Sequence, residues 1–191
     1  MADKGNNMNK NTMSRRLMRG GLGVAVALSA ALTMSGCSIL EDIASNGKTP
    51  VRDDQGSVVE GGKQDVFTIK VGDCVNVPNG DTVSDLKVIP CDTEHDAELY
   101  YEHEITQDDL GAVDIEDGYP GEDAVHEVAA RACESRFTEY VGVDYETSAL
   151  DYDWFYPTED GWDAIDDRTI QCFLFDGESG KLTGALAGSG R

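Results

Sequence analysis

The chain has 191 residues, with 37 acidic side chains against 15 basic ones and a formal charge of −22 at neutral pH. That length holds one ordinary domain with appended segments, not two full cores. So acidic a chain is repelled by nucleic acid and anionic headgroups, leaving basic proteins, divalent cations or neutral glycans as partners, unless the charge serves solubility alone.

Residues 1–36 carry five basic side chains (Lys4, Lys10, Arg15, Arg16, Arg19) and one acidic one, Asp3, and include an apolar run from Gly21 to Met34. A run of about 14 residues is too short to cross a bilayer of roughly 30 Å but suits the core of an export signal. Leu32-Thr33-Met34-Ser35-Gly36-Cys37 reads as a lipobox, with small residues ahead of a cysteine whose thiol takes the lipid. Residues 1–36 are therefore expected to be a lipoprotein signal peptide and Cys37 the acylated mature terminus. The rival reading is an ordinary secretory signal with a chance cysteine. Ser14-Arg15-Arg16-Leu17 also suggests a twin-arginine signal, but Met18-Arg19 continues it poorly, so general secretion is expected. Without residues 1–36 the balance is ten basic to 36 acidic residues, a formal charge of −26. The protein is expected on the extracytoplasmic face of the cell membrane, held there by its lipid.

Residues 37–64 are rich in Gly, Ser, Asp, Asn and Lys, show no sustained apolar period, and read as a flexible acidic tether with a reach of roughly 30 Å. The folded domain is expected over 65–191. Phe67, Ile69 and Val71 alternate as a strand does and lead into Gly72-Asp73-Cys74-Val75-Asn76-Val77. A turn at Pro78-Asn79-Gly80-Asp81 and a second run from Leu86 to Cys91 complete a hairpin. Ala97, Leu99, Tyr101, His103 and Ile105 then alternate with Glu98, Tyr100, Glu102 and Glu104, the period of a strand wet on one face.

A Gly/Asp-rich loop over 106–121 precedes Tyr119-Pro120-Gly121-Glu122-Asp123, where acids face the positive end of a helix dipole. Val125, Val128, Ala129, Ala132, Cys133, Phe137, Tyr140 and Val141 follow at helical spacing, and Gly142 is the expected stop. Further strands are expected from Leu150 to Tyr156, Thr169 to Phe175 and Leu182 to Leu186, with a turn from Asp176 to Lys181. The pattern predicts an α+β fold: an antiparallel sheet of about five to six strands, one main amphipathic helix and two disulfides.

Beyond Cys37, Cys74, Cys91, Cys133 and Cys172 make an even number, as disulfides in an exported domain require. Zinc is the rival use, but no C-x-x-C pair or histidine at ligand spacing supports it. Of the three possible connectivities, Cys74–Cys91 would join neighbouring strands and Cys133–Cys172 would staple the helix to the sheet.

The ordered set Val71-Gly72-Asp73-Cys74, Val88-Ile89-Pro90-Cys91, His95-Asp96-Ala97-Glu98-Leu99, Cys133 with Phe137 and Tyr140, Pro157-Thr158, Trp162, Asp167-Arg168, Cys172 and Leu182-Thr183-Gly184 resembles the actinobacterial septum formation domain. Ala164-Ile165-Asp166 stand where that family usually has a glycine before Asp-Arg. The resemblance implies an envelope-associated protein linked to cell division, and it carries no catalytic residue or cofactor over to this chain.

His95 stands amid Asp92, Glu94 and Asp96 beside Cys91, an arrangement that could hold a metal or form an acid–base pair but more often ties a turn. His95, Asp96 and Glu98 are kept as possible binding residues, as are Trp162, Asp167 and Arg168, the last two forming a candidate structural pair. Asp151, Asp153, Glu159, Asp160, Asp163, Asp166 and Asp167 could coordinate calcium, though no EF-hand spacing is present and a solvated acidic loop is the preferred reading. Trp154 and Trp162 with Tyr100, Tyr101, Tyr152 and Tyr156 could form a glycan-stacking or protein-docking face, with at least half of the rings interior. No G-x-S-x-G, free cysteine or Ser beside a base supports nucleophilic catalysis. The expected activity is therefore non-enzymatic: a binding module for an envelope protein or glycan, with no metal and no cofactor. The alternative is a divalent-cation-binding or cation-dependent envelope-modifying enzyme.

Overall fold

The computed structural model describes residues 47–78, 83–178 and 180–191. The expected signal peptide, Cys37 and the centre of the 78–81 turn lie outside the described residues. Among the described residues eleven strands and α-helices follow in chain order: β1 Val51–Arg52, β2 Val58–Glu60, β3 Gly62–Asp65, β4 Cys74–Asn76, β5 Asp85–Ile89, β6 Ala97–Glu104, α1 Gln107–Leu110, α2 Glu122–Val141, β7 Leu150–Phe155, α3 Glu159–Ile165 and β8 Thr169–Asp176. Strands β3 to β8 build one antiparallel sheet in the order β3-β5-β4-β6-β8-β7, and β1 and β2 form a separate ribbon. The fold is α+β, as the alternation of strand and helix patterns predicts.

Helix α2 covers one face of this sheet. Its twenty residues bury Val125, Val128, Ala129, Cys133, Phe137 and Val141 as a single stripe. These pack with Tyr100, Ile105, Leu150, Trp162, Ile170, Cys172 and Leu174 in the larger core cluster. Burying a large apolar side chain stabilises the fold by about 1.5–3 kcal/mol, so the stripe, rather than helix propensity, holds α2 in place. Gly142 ends the helix in the left-handed conformation at φ 93°, and its N–H donates to the Thr138 carbonyl at 2.9 Å.

The disulfides follow the expected pairing, Cys74–Cys91 and Cys133–Cys172. Cys133 projects from the apolar stripe of α2 onto β8, so the second bridge joins helix to sheet.

Three expectations need correction. The tether expected for 37–64 is structured from residue 51 onward: β1 pairs with β2, Val51 opposite Glu60, and β3 pairs with β5 in register from Gly62↔Val88 to Asp65↔Asp85. Polar strands at a sheet edge carry little apolar signal, which is why composition reads them as coil. Gly62 is required there: a Cβ on it would lie 2.4 Å from the Lys48 carbonyl oxygen and the Pro50 nitrogen, where the chain crosses over β3. The alternation Phe67-Ile69-Val71 is not a strand. Val66–Thr68 form a 3-10 turn that buries Val66 and Ile69 against the second face of the sheet and leaves Phe67 and Val71 exposed. Leu182–Leu186 is not a strand either. It is an irregular return segment whose one ladder contact is the bridge His95↔Leu182, with Leu182 and Leu186 buried.

Among the described residues no helix is long and apolar enough to cross a membrane.

Candidate functional site

Two groups of singled-out residues lie within the fold, and a third lies at its surface. The first group begins where β6 starts. His95 is fully buried, its Nδ1 2.8 Å from the Thr93 carbonyl oxygen, and its backbone exchanges hydrogen bonds of 3.0 and 2.9 Å with Leu182. Asp96 accepts from the Val77 N–H at 3.1 Å and pairs with Lys181. Glu98 is fully buried and accepts from the Tyr140 hydroxyl at 2.7 Å and the Leu186 N–H at 2.8 Å. Burial raises the Glu98 pKa above the usual carboxylate range, against the opposing pull of hydrogen bonds from Tyr140, Leu186 and Ala187. These three residues tie the C-terminal segment to the sheet, with Gly184 adding a 2.7 Å bond from its N–H to the Cys91 carbonyl.

The second group is the loop after α3. Trp162 is buried, and the Arg168 guanidinium lies 3.5 Å from the centre of its ring. Arg168 donates to the Trp162 and Asp167 carbonyls at 3.0 and 2.9 Å and pairs with Asp166 at 2.8 Å. The carboxylate partner is therefore Asp166, not Asp167 as the Asp167-Arg168 pair implied. Asp167 instead accepts from the Thr169 N–H at 3.0 Å, and burial raises its pKa. Asp166 has φ 57°, the one non-glycine among the described residues in the left-handed region. Replacing Arg168 by alanine removes the stacking on Trp162 and two carbonyl contacts. The expected cost is about 1–2 kcal/mol, read as a melting point several degrees lower.

The acidic residues of 151–167 do not gather around one point. Glu159 and Asp160 occupy the first turn of α3, whose N-cap Thr158 accepts from the Gly161 N–H at 3.1 Å, and Asp163 and Asp166 are exposed. Among the described residues the one group of three potential metal ligands is Cys74, Cys91 and Glu98, in which the two sulfurs are bonded to each other.

The aromatic residues divide. Tyr100 and Trp162 are interior, Tyr100 donating its hydroxyl to the Cys133 carbonyl at 2.7 Å. Tyr101 is half-buried under Arg136, whose guanidinium lies 5.0 Å from the ring centre. Tyr152 and Trp154 on β7, the edge strand of the sheet, and Tyr156 just beyond it are half-buried and pack against residues of α2. Tyr145 and His126 extend them into one row. Ring centres are 4.9 Å apart for Tyr145–Tyr152, 6.2 Å for Tyr152–Trp154, 5.9 Å for Trp154–His126 and 4.4 Å for His126–Tyr156. Carboxylates are bonded to both ends of the row. Asp151 accepts from the Tyr145 hydroxyl at 2.8 Å and Glu122 from the Tyr156 hydroxyl at 2.9 Å. The Asp151 bond pushes the Tyr145 pKa up to about 12. Sequence patterns missed Tyr145 and His126, because both reach the row through tertiary packing.

A family model described as septum formation matches residues 71–189. The chain belongs to the septum formation family. No curated protein and no solved structure matches it. In this septum formation domain the family-like pieces have structural work. Gly72, at φ 93°, donates to the Leu99 carbonyl at 2.7 Å. Asp73 is buried and accepts from Arg52, and Cys74 forms the first disulfide. Arg52 was missed by sequence reading and lies upstream of the matched residues.

Proposed function

We propose that this septum formation domain is a non-enzymatic interaction module of the cell envelope, anchored by a lipid on Cys37 at the extracytoplasmic face of the membrane. The observation that carries the binding part is the aromatic row Tyr145–Tyr152–Trp154–His126–Tyr156 along the free edge β7, bracketed by Asp151 and Glu122. Half-exposed rings supply contact area at low entropic cost, and rings beside carboxylates suit a segment bearing Lys or Arg. The N–H groups of Tyr152 and Trp154 on this edge already donate to the Asp151 and Asp153 side chains at 2.9 and 2.8 Å, so ring contact and charge, rather than strand addition, would hold the partner. The partner proposed is therefore a basic segment of an envelope protein, a choice consistent with the formal charge of −22. The anchor reading rests on the lipobox ending at Cys37.

A photo-crosslinking residue placed at the neighbouring exposed position 153 of the full-length protein in its own cells tests this. The expected result is a defined crosslinked envelope protein, lost when Tyr152 and Tyr156 are both replaced by alanine. Trp154→Ala is expected to weaken capture by about tenfold or more, the loss of roughly 1.4–2 kcal/mol at a central aromatic contact, in a domain that loses some packing against α2 but still unfolds cooperatively. Capture of glycan fragments alone, or unchanged capture by Trp154→Ala, would move the binding face elsewhere.

A further inference from the structure

Glu98 has a second neighbour that its anchoring role does not use. Its Oε2 lies 3.4 Å from Cys74 Sγ, both groups being fully buried. A sulfur in a disulfide carries no hydrogen, so this contact becomes a hydrogen bond only when Glu98 is protonated and its O–H donates to Sγ. The bridge is also lopsided in access: Cys74 is fully buried, while Cys91 is half-exposed at the turn leading to His95. The other bridge has Cys133 and Cys172 both fully buried beneath α2.

We infer that Cys74–Cys91 is a thiol–disulfide exchange site, attacked at Cys91, at which Glu98 gives a proton to Cys74 Sγ and takes it back. A thiolate from a dithiol reductant approaches Cys91 Sγ from solvent and forms a new S–S bond to it. The electron pair of the old bond leaves on Cys74 Sγ, which accepts the Glu98 proton. The product is a mixed disulfide at Cys91, a Cys74 thiol and a Glu98 carboxylate. The reductant's second thiolate then attacks its own sulfur in the mixed disulfide and releases Cys91 as a thiolate, which takes a proton from water. The reductant is oxidised to a disulfide by two electrons, and the cysteine pair is reduced by two. In reverse, the Glu98 carboxylate removes the Cys74 proton and frees a thiolate that closes the bridge.

The raised pKa of Glu98 supports this role, because an acid has to hold its proton to deliver it. The titratable group facing Glu98 is Tyr140 from α2, and Cys74 from β4 faces it as a half-cystine. The C-terminal segment presents backbone N–H groups, and Leu174 stands opposite on β8. Asp73, which precedes Cys74, is paired with Arg52.

Dithiothreitol pulses on the native full-length protein, quenched by alkylation and mapped by peptide, test the site from about pH 5 to about pH 8. Cys74–Cys91 is expected to open at least about tenfold faster than Cys133–Cys172, and its rate per reductant thiolate is expected to fall as Glu98 ionises. Glu98→Gln should lower that rate by roughly ten- to a hundredfold and flatten the profile, a change that loss of anchoring alone would not give. Should Glu98→Gln fail to fold, Tyr140→Phe serves instead. It removes a bond that favours the carboxylate, so the break in the profile should move to higher pH. Equal opening of the two bridges, a pH-independent rate per thiolate, or an unmoved profile in both variants would overturn the inference.

Discussion

Replacing Cys133 and Cys172 together by alanine is expected to lower the stability of the domain by about 4 kcal/mol. The bridge closes a 39-residue loop, and in the chain-entropy treatment a loop of that length removes about 4 kcal/mol of freedom from the unfolded chain. The 17-residue loop of Cys74–Cys91 gives about 3 kcal/mol on the same basis. Domains of this size are stable by only about 5–15 kcal/mol, so the helix staple accounts for a large share of the total. Its loss is not offset by relaxation, because both half-cystines are fully buried between α2 and β8 and their removal leaves unfilled volume. Urea unfolding of the double variant, fitted with an unchanged slope, is the measurement. A loss below about 1.5 kcal/mol would mean that the Val125–Val141 stripe holds α2 without the staple.

The helix–sheet bridge could be read from sequence because both of its cysteines lie in segments with strong periodicity. Cys133 falls on the apolar stripe of α2 and Cys172 in the middle of β8. The same legibility extends to the existence of β6 and to the Gly142 stop, but not to the faces of β6: Glu98 and Tyr100, expected on its wet side, are both buried, Tyr100 in the core under α2. It fails where tertiary contact outweighs local pattern. Phe67 and Val71 keep a strand-like spacing, but the chain needs Val66 and Ile69 to close the second face of the sheet, so a 3-10 turn replaces the strand. Glu98 has a solvent-facing position in the alternation, yet the returning C-terminal segment covers it, the Leu186 N–H donating to its carboxyl at 2.8 Å. A carboxylate in a strand pattern carries no sign of whether a distant segment will cover it. The aromatic row was half legible: Tyr152, Trp154 and Tyr156 share a strand face, whereas His126 and Tyr145 join them from α2 and from the turn after it.

Arg52→Ala is expected to cost about 3 kcal/mol, an effect that composition alone would not assign to a residue in an apparent tether. The guanidinium grips Asp73 with both ends, Nη1 to Oδ1 at 2.6 Å and Nη2 to Oδ2 at 2.7 Å, and adds contacts to Gln64 at 3.2 Å and the Gly56 carbonyl at 3.0 Å. The Asp73 side chain is 5% exposed, and without Arg52 it keeps the Lys70 N–H at 2.8 Å as a partner but loses its counter-charge. Breaking one half of a pair this enclosed is costly, because the remaining charge stays buried and uncompensated. The pair also has a topological consequence. It links the β1–β2 ribbon to the turn before β4, and so fixes β3 against β5 at the edge of the sheet. Loss of the pair should therefore appear first as faster hydrogen exchange in β3 and on the side of β5 that β3 covers, with α2 and β8 still protected. The double variant Arg52→Ala, Asp73→Asn should recover part of the stability, since a neutral amide no longer needs the missing cation. If Arg52→Ala exchanged like the parent and melted with it, residues 51–65 would be an appendage, and the septum formation domain would fold without them.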